Sequence, residues 1–422
     1  MKSITTCVLL SLSMFFMSSS CDKNSDELNE KTTKEITEPL KIDLRGAEAQ
    51  MVVSDQAFAF DFFANVFDEE RKDKDENFMV SPISLRMALA MTWNGSDGET
   101  KQAMQNTLGL GDWSDDEVNN YFKKLKDAFV KTDPSTQLSI ANSIWTNKNI
   151  EILSDFISLN QSYYNATVEA VDFANPATVG KINQWAANNT NGLIKEVIEN
   201  TNPNDLMYLL NALYFKGIWT SEFEVKNTSK MNFTTNNGTN TMVDMMQQEA
   251  RFNYTADETL QLVELPYGNK AFSMMMLLPK EGQKLTDVTL ALKNEGYWNN
   301  LKSKMSNKKV DLFLPKFKTE HSKKLNDVLT DMGMGVAFDA DNANFSRMSS
   351  RDAFISLVKQ DTYIATDEVG TEAAAVTTVG ITVTSLPAPD EKIVFKADRP
   401  FMYIIQEKST GSVLFMGAVK KF

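Results

Sequence analysis

Histidine and cysteine, the side chains behind much nucleophilic and metal chemistry, are almost absent from this sequence of 422 residues. His321 is the only histidine, and the only cysteines, Cys7 and Cys21, lie at the extreme N-terminus. The body of the chain therefore has no thiolate nucleophile, no disulfide and no cysteine-rich metal site. His321 lies in a polar stretch that we interpret as the start of a helix, where a solvated imidazole is expected rather than a catalytic base.

Motifs for phosphate and acyl transfer are also missing. The sequence has no GxGxxG, GxxxxGK[ST] or GxSxG, the turns that hold nucleotides or expose a nucleophilic serine. A helical HExxH zinc site needs two histidines and is excluded. Lys and Arg number 43 against 56 Asp and Glu, a net charge of -13, which repels nucleic acid and heparin-like polyanions. We therefore predict no nucleotide cofactor, no metal, and no nucleic-acid or heparin partner.

Residues 1–20 have the features of an export signal. Lys2 supplies a positive charge, Val8 to Met17 is an apolar run, and three serines precede Cys21. The run is too short to span a bilayer. The segment resembles a bacterial lipoprotein signal in which Cys21 becomes the acylated first residue, although Ser18 replaces the usual leucine-like residue. We predict an exported protein, lipid-anchored to the bacterial outer membrane or cell surface; an ordinary secretory signal is the alternative.

Residues 21–46 are polar and charged, which predicts a flexible tether. The composition changes near Ser54, and no Pro/Gly/Ser-rich break or internal repeat follows. Residues 47–422 are therefore predicted to form one domain.

Helical and strand-like patterns occupy different parts of this domain. Helical periodicity dominates its first third, with predicted helices after Ser54 and over Leu85–Trp93, Glu117–Phe129 and Ala177–Ala187. Apolar strand-like runs dominate the rest, over Met207–Phe215, Leu260–Leu265, Phe272–Leu278, Val310–Leu314, Ile393–Phe395, Met402–Ile405 and Val413–Phe415. Segregated helices and strands predict an α+β fold.

Residues 367–390 depart from the rest of the sequence, being small and β-branched with no Lys or Arg. Alternate positions from Thr371 to Val383 are small or apolar, the period-two pattern of a strand with one buried face. A strand of about fifteen residues would be about 50 Å long, well beyond the usual length. The pattern leaves two interpretations open, a central strand of a sheet or, for its first part, an exposed loop.

From about Val53 to Phe422 the sequence resembles the serpins. Phe395–Ile405 is similar to the family signature at all eleven positions. Further similar segments, in the family's order, are 77–84, 211–219, 264–268 and 314–317. The residues similar to the hinge of an inhibitory serpin's reactive loop are Glu368, Gly370, Thr371, Glu372, Ala373, Ala374 and Ala375. The resemblance implies a serpin fold with three β-sheets, eight to nine helices and an exposed reactive-centre loop.

The resemblance also implies a suicide-substrate inhibitor that is not an enzyme. In inhibitory serpins a protease cleaves the loop to an acyl-enzyme, and the freed segment inserts as a new strand and distorts the trapped protease. Thr371, Ala373 and Ala375 are small enough to face inward, and no proline occurs before Pro387. The hinge therefore favours the inhibitory branch. A non-inhibitory serpin-fold binding protein is the alternative, and a hydrolase is a third.

The target class follows from the loop. In the family the cleaved bond usually follows the fifteenth residue from the hinge glycine, which implies cleavage at Thr384–Ser385, with Val383 and Leu386 as alternatives. A trypsin-like pocket needs Lys or Arg, which this segment lacks. Small β-branched residues suit elastase-like or subtilisin-like serine proteases, with papain-like cysteine proteases as further partners.

A second set of residues is implied beneath the main sheet. The resemblance places Ser81, Ser84 and Asn211 in a polar network where the central strands part, and it includes Trp219 in the same region. Gln360 occupies the position where the family has a histidine. Because glutamine both donates and accepts hydrogen bonds, a neutral network is expected and the usual pH sensitivity is in doubt.

Overall fold

The computed structural model describes residues 38–73, 76–371 and 392–422, all of which lie in one compact unit. The helices in these residues are α1 (Ala47–Asp73), α2 (Pro82–Trp93), α3 (Gly98–Leu108), α4 (Asp115–Thr132), α5 (Ser154–Tyr164), α6 (Ala177–Asn189), α7 (Leu285–Lys293), α8 (Tyr297–Ser303) and α9 (Asn326–Leu329). None of these helices is long and apolar enough to cross a membrane.

Fifteen β-strands occur in the same described residues. They are β1 (Phe78–Val80), β2 (Gln137–Asn147), β3 (Thr167–Val171), β4 (Met207–Ile218), β5 (Ser229–Thr234), β6 (Asn240–Ala256), β7 (Leu260–Pro266), β8 (Phe272–Pro279), β9 (Ser306–Pro315), β10 (Phe317–Lys324), β11 (Leu357–Thr366), β12 (Gly370–Thr371), β13 (Ile393–Lys396), β14 (Phe401–Glu407) and β15 (Val413–Val419).

Local sequence sets several of these boundaries. Ser114 and Glu117 form a capping box at the start of α4, in which Glu117 N donates to Ser114 Oγ and Ser114 N donates to the Glu117 carboxylate. Helix α3 ends at Gly109, whose φ of 62° lies in the left-handed region. The tight turn between β5 and β6 contains Gly238, with a φ of 82°.

Hydrogen bonding joins nine of the strands in the order β1-β15-β14-β8-β7-β6-β9-β13, with β5 also paired to β6. The 17-residue strand β6 serves two parts of this sheet. Its residues 245–254 pair with β9, whereas residues 253–256 pair with β7. Counted as two parts that share β6, these strands and the second, six-stranded sheet make the three sheets that were predicted.

The six-stranded sheet has the order β10-β11-β12-β4-β2-β3, with β11 also paired directly to β4. We call the boundary between β4 and β11 the seam. The main hydrophobic core lies between this sheet, the other strands and α1–α5. A separate cluster packs α6 and the segment after it against the opposite face of the six-stranded sheet.

The α+β prediction is confirmed, and the four helices and seven apolar strands listed above lie on observed elements. The period-two segment from Thr371 to Val383 lies outside the described residues after Thr371. Strands β1, β2, β3, β5, β6, β10 and β11 were not predicted. Strands β2 and β11 carry buried polar residues such as Asn142 and Gln360, which interrupt the apolar alternation. Strand β10 is a lysine-rich edge strand, where charge blocks pairing with other chains. The predicted helix start around His321 is therefore wrong, because this histidine lies on β10.

The end of the predicted tether contacts the domain. Ile42 is buried, and its N–H donates to Ser409 Oγ at 3.0 Å. Thr132 Oγ1 donates to the carbonyl oxygen of Leu40 at 3.3 Å. Residues 38–46 therefore contact the folded domain, contrary to the prediction of a solvated segment. The predicted signal peptide, Cys21 and the rest of the predicted tether before residue 38 lie outside the described residues.

Candidate functional site

The candidate site is the seam, where one sheet shows two different arrangements. In its middle, residues 357–362 of β11 pair directly and in parallel with residues 208–213 of β4. We call the end of the seam near Thr366 of β11 and Gly217 of β4 the upper end. There the two strands separate and β12 lies between them. Thr371 pairs with Thr366 of β11 on one side and with Gly217 of β4 on the other. Gly370 and Thr371 of the predicted hinge thus already form a short central strand.

The hinge threonine is held by an aromatic stack. Thr371 is fully buried, and its Oγ1 lies 2.7 Å from the hydroxyl oxygen of Tyr267. Tyr267 stacks on Trp219 with ring centroids 4.4 Å apart, and burial raises the pKa of the Tyr267 phenol. This hydroxyl therefore stays neutral and can exchange a hydrogen bond with Thr371.

Gly370 is required by a close approach of two backbones. A Cβ at this position would lie 2.2 Å from the carbonyl oxygen of Gly217 on β4. A side chain there would force β4 away from β12, so the position favours glycine.

A tight turn at residues 367–370 leads directly into β12. The side chain of Asp367 accepts hydrogen bonds from the N–H groups of Val369 at 2.9 Å and Gly370 at 3.2 Å. Trp219 donates from its indole Nε1 to the Asp367 carbonyl at 3.0 Å and from its backbone to the Val369 carbonyl at 2.8 Å. Trp219 therefore anchors the turn and supports the ring that contacts Thr371.

Glu368 adds a charge to this end of the seam. Its carboxylate is buried, lies 2.6 Å from Lys316 Nζ and accepts a hydrogen bond from Thr228 Oγ1 at 2.7 Å. Burial opposes ionisation, but the hydrogen bonds from Lys316 and Thr228 hold the pKa of Glu368 below its usual value. We call Trp219, Tyr267, Lys316, Glu368 and Thr371 the hinge cluster.

A buried polar network fastens the middle of the seam. Gln360 on β11 donates from Nε2 to the Ser81 carbonyl at 2.9 Å and to Asn211 Oδ1 on β4 at 2.8 Å, and its Oε1 accepts from Ser81 N at 2.8 Å. Asn211 Nδ2 donates to Asn142 Oδ1 at 2.6 Å and to Ser84 Oγ. We call these five residues, all buried, the seam network; none of them carries a charge.

The structure groups the predicted residues into two places. Ser81, Ser84, Asn211 and Gln360 meet in the seam network, whereas Trp219, Glu368, Gly370 and Thr371 meet at the upper end. Glu372, Ala373, Ala374, Ala375, Val383, Thr384, Ser385 and Leu386 lie outside the described residues.

No role was predicted for Tyr267, Lys316 or Asn142. The first two lie in segments that resemble the family, 264–268 and 314–317, and those segments were the available signal. Asn142 lies on a strand that the analysis missed, so no local pattern marked it.

His321 differs from the expected solvated imidazole. Its side chain is 9% exposed, with Nδ1 3.0 Å from the Met79 carbonyl oxygen and Nε2 3.3 Å from a carboxylate oxygen of Glu70. The hydrogen bond from His321, together with Lys323, lowers the pKa of Glu70 to about 2. The residue thus links β10 to α1 and β1. Within the ranges that the structure describes, no cluster of three or more His, Cys, Asp or Glu could hold a metal ion.

Comparison with known proteins gives the family. The family model described as Serpin (serine protease inhibitor) matches residues 53–421. A serpin-like protein of Thermococcus kodakarensis is 35% identical over 376 residues, which cover 88% of this chain and 86% of that protein. This chain belongs to the serpin family, whose members are in general protease inhibitors rather than enzymes.

Solved structures agree on the fold. The native state of the thermophilic serpin tengpin matches with a TM-score of 0.81 and 31% identity, over 92% of this chain and 98% of that one. Human thyroxine-binding globulin complexed with thyroxine matches with a TM-score of 0.79 and 28% identity, over 89% of this chain and 99% of that one. The protein therefore has the serpin fold.

Proposed function

We propose that this serpin is an irreversible suicide-substrate inhibitor of serine endopeptidases with elastase-like or subtilisin-like specificity. The observation that supports this most directly is β12. Gly370 and Thr371 already pair with both β4 and β11, so a cleaved loop has a template on each side for continued strand insertion.

The sequence beyond Thr371 suits such an extension. Because successive residues of a strand alternate between faces, Ala373 and Ala375 would follow Thr371 on the face that packs against the core. Neither side chain is bulky or charged, and each inserted residue would add ladder hydrogen bonds with a net stability of about 1 kcal/mol each. Insertion would therefore be favourable once cleavage frees the segment.

We further propose Thr384–Ser385 as the cleaved bond, with cleavage after Val383 or Leu386 as the alternatives. A trypsin-like pocket would leave its carboxylate without a partner, because no Lys or Arg occurs between Gly370 and Asp390. Papain-like cysteine proteases are included as targets because Val383 can fill their apolar second subsite.

The test is incubation with pancreatic elastase, subtilisin, papain and trypsin, followed by denaturing electrophoresis. We expect an adduct that survives heat and detergent with elastase or subtilisin and none with trypsin. Mass spectrometry of the released C-terminal fragment should give Ser385 as its first residue. Complete loop cleavage by every protease without any adduct would contradict inhibition.

A non-inhibitory binding protein is the second candidate. The similarity to thyroxine-binding globulin suggests this candidate function, and one observation of the structure supports it. A cavity of about 380 Å³ lies between α1 and α7–α8, with Phe60, Leu292 and Trp298 in its lining, within the size range of small-molecule sites. Saturable thyroxine binding by intrinsic tryptophan fluorescence, without any protease adduct, would favour this candidate over inhibition.

We also propose that Cys21 is acylated and anchors the mature protein to the outer membrane or cell surface. The proposal is supported by the export signal in residues 1–20 and by the polar residues that follow Cys21. Acylation adds about 0.8 kcal/mol of membrane affinity for each buried CH₂ group. Cys21→Ala should move the protein from the membrane fraction to the soluble fraction, with Ser20→Ala as a control. Equal membrane recovery of both variants would contradict anchoring through Cys21.

A further inference from the structure

The outer face of the six-stranded sheet carries a second layer that rests mainly on one side of the seam. The buried side chains of its hydrophobic cluster join α6 and residues 194–198 to β2, β3 and β4, and are Trp145, Val171, Phe173, Ile182, Ala186, Ile194, Val197, Ile198, Tyr208 and Leu210. Two partly buried side chains of β11, Leu357 and Tyr363, also pack against this cluster. Phe173 stacks on Tyr208 of β4 with centroids 4.4 Å apart. Helix α6 and the segment 194–198 are thus packed on the β4 side.

The segment 194–198 is also fixed to α6 by one side chain. Asn183 Oδ1 accepts from the N–H groups of Val197 at 2.9 Å and Ile198 at 3.1 Å, and its Nδ2 donates to the Ile198 carbonyl at 2.8 Å. These three hydrogen bonds determine where the Val197 carbonyl points. Any group that binds this carbonyl is therefore connected to α6 and, through the cluster, to β4.

Lys359 binds that carbonyl from across the seam. It lies on β11, and its ammonium donates to the Val197 carbonyl oxygen. The same ammonium lies 3.0 Å from Asp361 Oδ1, whose side chain is 6% exposed. Burial raises the pKa of Asp361, and the neighbouring Lys359 opposes that rise. The ammonium is held by Asp361 and points at a carbonyl that belongs to the opposite side of the seam.

We propose that Lys359 is a positioning residue that clamps the segment 194–198 across the seam and thereby sets the rate at which β4 and β11 part. The proposal rests on the proposed function, in which a new strand enters between these two strands. One added strand moves its neighbours apart by about 4.8 Å. Because residues 194–198 stay packed on the β4 side, the bond between Lys359 and Val197 must break during insertion.

This geometry gives Lys359 a different effect on two forms of the protein. The bond to Val197 exists with the loop uncut and is lost after insertion, whereas the pairing with Asp361 is internal to β11 and persists. A hydrogen bond from a charged donor that is present in only one form stabilises that form alone. Removing this hydrogen bond should lower the thermal stability of the uncut form and leave that of the inserted form unchanged.

The test compares Lys359→Met/Asp361→Asn with Asp361→Asn alone, so that no unpaired carboxylate is left buried. At elevated temperature, we expect the uncut double variant to convert to the loop-inserted form roughly tenfold faster than Asp361→Asn. Its thermal midpoint should fall in the uncut form and stay unchanged in the form cleaved within the loop. Lys359→Arg, which keeps the charge, should largely restore the parent rate.

Lys323→Met is the matched control, because Lys323 is a similarly buried lysine on β10 that pairs with Glu69 and Glu70 away from the seam. It should lower the midpoints of both forms equally. If Lys359→Met/Asp361→Asn also lowers both equally, Lys359 has only a structural role and the proposal is overturned. If loop cleavage fails to stabilise even the parent protein, insertion itself and the proposed inhibitory function fail instead.

Discussion

The upper end and the middle of the seam lie on the same two strands but are closed by different chemistry. At the upper end, Gly370 and Thr371 already occupy the space between β4 and β11, surrounded by an aromatic stack and an ion pair. In the middle the strands pair directly over six residues, and a neutral buried network joins Gln360 to Asn211.

For the inhibitory mechanism proposed above, we expect this difference to separate the start of insertion from its continuation. Gly370 and Thr371 enter at the upper end without any strand separation. Whether insertion can start there therefore depends on the size and charge of the side chain at position 371. The middle must lose its strand pairing and leave buried polar groups without partners until a new strand arrives, at a cost of about 1–3 kcal/mol for each group. For the proposed inhibitor, we therefore predict that the hinge cluster controls entry of the new strand, and that the seam network and Lys359 together resist the separation of β4 and β11.

The largest expected effect is at the hinge. Thr371→Arg places a guanidinium where the native side chain is fully buried against Tyr267, so insertion should slow until the acyl-enzyme hydrolyses. We expect cleavage without adduct on denaturing electrophoresis, at least tenfold more inhibitor consumed per protease inactivated, and near-parent behaviour for Thr371→Ser. Full adduct formation by Thr371→Arg would show that this position does not have to enter the sheet.

The next largest effect is in the seam network. Asn211→Ala leaves Ser84, Asn142 and Gln360 with unpaired polar atoms in a buried site, which should lower the free energy of unfolding by about 2–4 kcal/mol. Urea unfolding at pH 7 measures this loss. Asn240→Ala, an exposed asparagine on β6, should change stability by less than about 0.5 kcal/mol. Similar losses in both variants would contradict a special role for the network.

A smaller effect is expected from the ion pair of the hinge cluster. Lys316→Met removes the partner of a buried Glu368 carboxylate from a lysine that is itself 39% exposed, so we expect a loss of about 1–2 kcal/mol at pH 7. Because the folded-state pKa of Glu368 is lowered, this contribution is present above the ordinary carboxyl pKa and is lost as pH falls below it. The difference between the unfolding free energies of the two proteins should therefore shrink as the pH is lowered below the ordinary carboxyl pKa, and a constant difference would exclude this pair as its source.

The smallest expected effect sharpens the contrast between the two regions. Gln360→His puts a titratable ring into a network that contains no charged group, where burial disfavours the imidazolium. A depressed folded-state pKa means that stability is present above the unfolded value and is lost on acidification. We expect the variant to lose about 1 kcal/mol more than the parent between pH 8 and pH 5.5. Parallel pH profiles would mean that this position does not sense pH.

Sequence alone determined the fold class, because helical and strand periodicities are local. The phenylalanines of α1 and the apolar runs of β7 and β8 recur at the spacing that places them on one face or in a fully buried strand. The run of small residues after Gly370 was also visible in the sequence, but only the resemblance to the serpins predicted that it is a hinge. Family resemblance then supplied the expectation that Ser81, Asn211 and Gln360 meet.

Only the tertiary structure decided how these parts are joined. The contacts of Thr371 with Tyr267, of Lys359 with Val197 and of His321 with Glu70 connect residues that are 104, 162 and 251 positions apart. A polar side chain on a strand has the same local pattern whether it faces solvent or a buried partner. Its role depends on which distant element the packing brings against it, and that information is not present in any short stretch of sequence.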